Sequence, residues 1–174
     1  MISNSTPLII FSKLNKLDLL LKIFKTLIIP NAVYVEVVEN GMKNNFPDSF
    51  LIKDLIDKKQ IIIKNLDQKW QNKSEFLRKT YQLGKGEAEA IALALQEKEN
   101  YLLIDDETAK KIAKLHEIKS IGSLKVLLLS FKSKFLIEDE VKKMLMEMIG
   151  KNFRVNSEVI NRFWILFEKL KETN

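Results

Sequence analysis

The chain has no cysteine, a single histidine (His116), five glycines and three prolines among its 174 residues. Without thiols there is no disulfide framework, no thiolate zinc site and no cysteine nucleophile. One imidazole excludes a His-rich metal site and weakens any His-based triad, so carboxylates must hold any metal. The scarcity of glycine and proline excludes a fibrous or low-complexity protein, and a hydrophobic content of 46% excludes general disorder. No apolar run reaches membrane-spanning length. The stretch from Met1 to Ile10 lacks a basic leader and is broken by polar residues and Pro7, so neither a signal peptide nor a membrane span is expected, and the cytoplasm is the expected compartment.

What is present is charge and periodicity. The formal charge of +6 with a pI near 9.3 favours an anionic partner such as nucleic acid, although acids lie scattered among the bases. Met1–Asn4 reads as a short strand. It stops at Asn4, Ser5, Thr6 and Pro7, a cluster able to cap a helix through Leu8, Ile9, Ile10 and Leu14. A mostly buried helix is expected over Leu17–Lys25 and a strand over Leu27–Ile29, halted by Pro30. Asn31 is expected to cap a helix running past Glu36 toward Gly41. Phe46–Ile56 reads as helix, Gln60–Ile63 as strand and Asp67–Lys73 as a polar loop. Gly84, Lys85 and Gly86 introduce the most regular helix, with Ala88, Ile91, Ala92 and Leu95 on one face. Then come a strand over Tyr101–Ile104, a helix over Thr108–Leu115 and a strand over Ile118–Ile121. Two amphipathic helices, Glu138–Met148 and Ser157–Leu170, flank Gly150 and a basic turn from Lys151 to Arg154. Strands alternating with helices predict an α/β fold with a mostly parallel sheet covered on both faces, whose ligands sit beyond the carboxyl ends of the strands.

Acids fall where such a site would be. Asp105 and Asp106 directly follow the buried strand Leu102–Ile104, Asn4 ends the first strand, and adjacency of the two strands would put them in one cleft. Glu36 lies in an apolar helical turn. Glu87 and Glu89 flank the apolar face of their helix on opposite sides, and periodicity does not choose between them. Clustered carboxylates repel unless a cation neutralises them, and hard oxygen donors select Mg²⁺ or Mn²⁺. Such an ion activates water for attack on a phosphodiester without Cys or His. Each acid also has a plain structural role open to it: Glu87 and Glu89 complement a helix dipole, Asp105 or Asp106 caps the following helix, and Glu36 pairs with a lysine. His116 is expected at a helix end with no role. Met144, Met146 and Met148 suit core or dimer packing, and Lys110, Lys111 and Lys114 a solvated face.

Four segments recur in a recognisable order: Ser3-Asn4-Ser5-Thr6-Pro7-Leu8-Ile9, Pro30-Asn31-Ala32-Val33-Tyr34-Val35-Glu36-Val37-Val38, Gly84-Lys85-Gly86-Glu87-Ala88-Glu89-Ala90-Ile91-Ala92-Leu93-Ala94 and Leu102-Leu103-Ile104-Asp105-Asp106. With them the chain resembles the PIN-domain proteins, and more narrowly the VapC-like toxins that carry a Gly-Glu-x-Glu-Ala helix. The resemblance implies a three-layer α/β/α nuclease domain over residues 1–135, with a helical extension over 136–174 packed on the same domain. It implies a metal-dependent endoribonuclease using Mg²⁺ or Mn²⁺, the toxin of a toxin–antitoxin pair, with RNA as substrate, an antitoxin as partner and a homodimer as assembly. Glu36 matches the early-helix acid, Glu87 or Glu89 the middle one and Asp106 the last, with Asp105 close enough to assist. Thr6 matches the small hydroxyl residue that accompanies the first acid. Asn4 stands where the family usually has Asp. A neutral amide coordinates through its carbonyl but adds no charge, so weakened metal affinity, or a non-catalytic RNA-binding or regulatory protein, is the alternative. A phosphatase-like or receiver-like domain would need an acid where Asn4 stands.

Overall fold

The computed structural model describes residues 1–173. Five strands, β1 (Ile2–Ser3), β2 (Leu27–Pro30), β3 (Ile61–Lys64), β4 (Tyr101–Leu103) and β5 (Lys119–Ile121), form one sheet in the order β3-β2-β1-β4-β5. Every pairing is parallel. The first strand is therefore central: Ile2 registers with Ile28 on one side and Leu102 on the other. Strand order reverses there, and the carboxyl ends of β1 and β4 form the crevice in which such sheets bind ligands.

Alternate strand residues feed two cores. Leu27, Ile29, Ile61, Leu103 and Ile121 face one layer, made of α1 (Ser5–Lys13), α2 (Leu17–Phe24), α5 (Pro47–Asp57), α9 (Ser123–Lys132), α10 (Glu138–Gly150) and α11 (Ser157–Thr173). Ile2, Leu102 and Ile104 face the other, made of α6 (Gln68–Tyr81), α7 (Lys85–Gln96) and α8 (Glu107–Leu115). The fold is thus the three-layer α/β/α arrangement of a PIN-like domain, and the mostly parallel sheet is parallel throughout. Among the described residues no helix is long and apolar enough to cross a membrane.

Two local readings need correction. Asp67–Lys73 is not a loop: residues from Gln68 to Tyr81 form α6. The segment is strongly polar because only one narrow stripe is covered, with Trp70, Ser74, Leu77 and Tyr81 at helical spacing and Leu77 fully buried. Asn31 is not a cap either. The helix begins with it, Pro30 stands at the N-cap, and no side chain of either residue caps the end. This helix runs as α3 (Asn31–Tyr34), a π-helical segment (Val35–Glu39) and α4 (Asn40–Lys43) without a break. Of the methionines expected in core or dimer packing, Met144 and Met148, one turn apart, are buried in the core, and Met146 is exposed on the opposite side.

Candidate active site

Asn4 occupies the N-cap position of α1 with an extended backbone, but its side chain caps nothing. Its amide N–H donates to the Leu103 carbonyl at 3.1 Å, which ties the end of β1 to the end of β4. The side chain is 2% exposed, and its Oδ1 has no hydrogen-bond partner. A buried carbonyl oxygen left unpaired costs about 1–3 kcal/mol, so a water or a cation that reached it would be held there.

Three carboxylates converge on this edge from separate elements, and each spends one oxygen on a local anchor. Glu36, exposed on the π-helical segment, accepts from Ser5 Oγ at 2.6 Å through Oε2. A π-turn inserts an extra residue into a helix and is often found at functional sites; here it carries Glu36 opposite the start of α1. Behind the pair lies Gly86. A Cβ there would stand 3.1 Å from Glu36 Oε2, 3.3 Å from Val33 Cγ2 and 3.5 Å from Ser5 Oγ, so a side chain at this position would press the Glu36 carboxylate and Val33 back by a few tenths of an ångström. Glu87 Oε2 accepts from the Gly84 N–H at 2.7 Å, one arm of a capping box. Its carboxyl is held above the usual range by burial, with the Gly84 bond opposing and the charges of Asp106 and Glu36 adding to the rise. Asp106 caps α8, its Oδ1 accepting from the Ala109 N–H at 2.7 Å. Burial is the largest contribution to that rise, and the smaller contributions of Asp106 and Glu36 put both carboxylates within electrostatic reach of Glu87.

The other two acids spend their hydrogen bonds on joining elements. Glu89 Oε2 accepts from the Ala32 N–H at 2.8 Å and so supplies, from a different helix, the cap that Asn31 does not give α3. Asp105 accepts from the backbone N–H of Ser123 at 2.8 Å and from its hydroxyl at 2.5 Å, joining the end of β4 to the start of α9. Burial pushes its carboxyl up against those two bonds and against the attraction of Lys110. Thr6 is exposed and lines the groove described below. Ser5, which directly fixes Glu36, carries no sequence signal that separates it from its neighbours. Among the described residues no three acidic or histidine side chains already form a metal cage. The donor set nevertheless suits a hard cation: one unpaired amide carbonyl and carboxylates that keep an oxygen outside their anchoring bonds.

Glu87, Asp105 and Asp106 open into a groove of ≈ 1640 Å³. Its apolar lining includes Ile9, Leu128, Phe153, Val159 and Leu166, and its cations include Lys13, Lys125, Lys132, Lys151, Arg154 and Arg162. Acid and base thus share one depression, formed by α1, α8, α9 and the C-terminal helices.

No curated protein and no solved structure matches the chain. A family model does, the one described as PIN domain, over residues 1–169. With the parallel sheet and the strand-end acids already in place, a match of that extent means that the chain belongs to the PIN-domain family, whose members are generally nucleases.

Proposed function

We propose that the protein is a metal-dependent endoribonuclease, a VapC-like toxin of a toxin–antitoxin pair that hydrolyses RNA phosphodiesters. The observation that supports this reading is Asn4, a buried oxygen without a partner where the strand order reverses; Glu87, on another element, feels the charges of Glu36 and Asp106. Asn4, Glu36, Glu87 and Asp106 would hold Mg²⁺ or Mn²⁺, with Asp105 and Glu89 as outer supports and Thr6 near the entering phosphate. Such an ion, when bound, activates water and neutralises charge on the phosphoryl oxygens. The chain's part is orientation. Ser5 fixes one edge of Glu36, the Gly84 N–H sets Glu87, and the Ala109 N–H sets Asp106, so the acids need little reorganisation when the ion arrives. The cognate partners of this reading are an antitoxin and a second copy of the chain.

The test is incubation of the protein with RNA and Mn²⁺. Wild type cleaves, and Glu87→Gln and Asp106→Asn each fall by about a hundredfold or more. Asp106→Asn keeps an oxygen to cap α8, so its loss reports chemistry and not unfolding. Equal cleavage by all three would mark a contaminant and end the proposal. Asn4 also favours a second reading, an RNA-binding member without catalysis, because its amide brings no charge to the ion. That reading predicts salt-sensitive RNA association with no cleavage. Asn4→Asp adds the missing charge and tightens Mn²⁺ binding about tenfold or more by calorimetry. An unchanged or weaker titration would remove Asn4 from the metal site.

A further inference from the structure

The C-terminal helices have no part in the chemistry above, yet they build one side of the groove. Lys151 and Arg154 lie in the turn between α10 and α11, and Arg162 on α11; all three are exposed and line the same depression as Glu87 and Asp106. Lys13 on α1 and Lys125 and Lys132 on α9 line it as well. None of these six cations is in an ion pair among the described residues, whereas Lys22, Lys53, Lys58, Arg78 and Lys142 are each matched to an acid one helical turn away. The floor between them is apolar, with Phe153 half-buried and Leu166 exposed.

We infer that the α10–α11 turn and α11 are a substrate-binding wall, a cationic track for a single-stranded polynucleotide running into the carboxylate end of the groove. The direction of the track rests on the nuclease reading; the binding surface does not. Unmatched cations around a groove fit a chain that carries one charge per residue, and each phosphate neutralised releases counterions. The apolar floor decides between strand types. A duplex keeps its bases stacked inside and leaves such a floor uncovered, whereas unpaired bases cover it. An acidic amphipathic peptide would satisfy the same rim, but it has no phosphate to present to the oxygen-donor edge that shares the groove.

The experiment is fluorescence anisotropy of a labelled single-stranded RNA of about 15 nucleotides, held in EDTA so that metal-dependent cleavage does not intervene, between about 50 and 200 mM salt. Arg154→Gln/Arg162→Gln is compared with Lys69→Gln/Lys73→Gln, which removes the same charge from α6 on the opposite layer. The groove variant raises Kd about tenfold and flattens the slope of log K against log salt by about 1.4, two contacts at about 0.7 each; the α6 variant does neither. Equal losses in both variants, a duplex bound as tightly as the single strand, or binding of an acidic amphipathic peptide in place of the oligonucleotide would each overturn the inference. The two proposals fail separately. If Arg154→Gln/Arg162→Gln loses binding while wild-type protein leaves RNA intact with Mn²⁺, the nuclease reading falls and the track stands. If wild type cleaves and the groove variant binds as wild type does, the track alone falls.

Discussion

At the scale of single residues, the site stores repulsion. Glu87 has its carboxyl raised by burial and by the neighbouring charges of Asp106 and Glu36. A carboxyl with a folded-state pKa above its unfolded value of about 4.3 binds its proton more tightly in the folded protein, so stability declines as pH climbs through that interval. Glu87→Gln keeps an acceptor for the Gly84 N–H and removes the charge. It is expected to raise Tm at pH 7 and to leave it unchanged near pH 3, where wild type is protonated in both states; a Tm difference independent of pH would refute the electrostatic account. On the nuclease proposal the same variant is expected to lose about a hundredfold or more of cleavage, so stability and activity would move in opposite directions. Much of this was readable beforehand. Asn4 and Asp106 mark strand ends, and Glu36 and Glu87 stand beside apolar helical faces. Which of Glu87 and Glu89 lines the groove was not, because it depends on the Ala32 N–H, which approaches Glu89 from 57 positions away in the chain. Ser5 was equally hidden, since its partner Glu36 is 31 positions away.

At the scale of elements, the scarcity of glycine has a measurable effect. Several helices end on a non-glycine residue in left-handed conformation, among them Lys59, Glu117 and Lys134, and no glycine adopts positive φ. The end of α9 is a complete Schellman motif, with Phe135 N–H donating to Ser130 O and Lys134 N–H to Phe131 O, both at 2.9 Å. Lys134 takes φ 58° there, where a side chain costs about 1–2 kcal/mol. Lys134→Gly therefore stabilises the protein by about 0.5–1 kcal/mol after glycine's own entropy loss, readable as a higher urea midpoint. A lower midpoint would show that the strain is relieved elsewhere. Periodicity identified most elements, and it failed where the covered stripe is narrow. In α6 the inward residues Trp70, Ser74 and Leu77 are separated by charged and amide side chains and by the exposed Phe76, so the local pattern is that of a loop until α7 is placed against it. The π-helical segment was invisible for another reason: its single inserted residue changes the facing of Glu36 and not the composition.

For the molecule as a whole, the C-terminal helices belong to the main core. Phe167 of α11 is fully buried, with its ring 4.8 Å from that of Phe131 on α9, and Met144, Leu145 and Met148 of α10 join the same cluster. We therefore propose that residues 136–173 fold with the sheet as one cooperative unit. Phe167→Ala is expected to cost about 3–5 kcal/mol in a single urea transition. A separate early transition would instead make the tail an independent module. Their amphipathic patterns were legible, but not that they line the groove, because that depends on where a helix near the carboxyl terminus crosses α9. A last consequence concerns synthesis. The strand made first, β1, has only two residues and lies in the middle of the sheet, with a neighbour, Leu102, 100 positions later in the chain. During translation that strand waits, half-paired, until β4 has left the ribosome. The strand ends that carry Asn4 and Asp106 are therefore joined only late in elongation, and a nascent chain shorter than β4 cannot assemble the edge proposed to hold the metal.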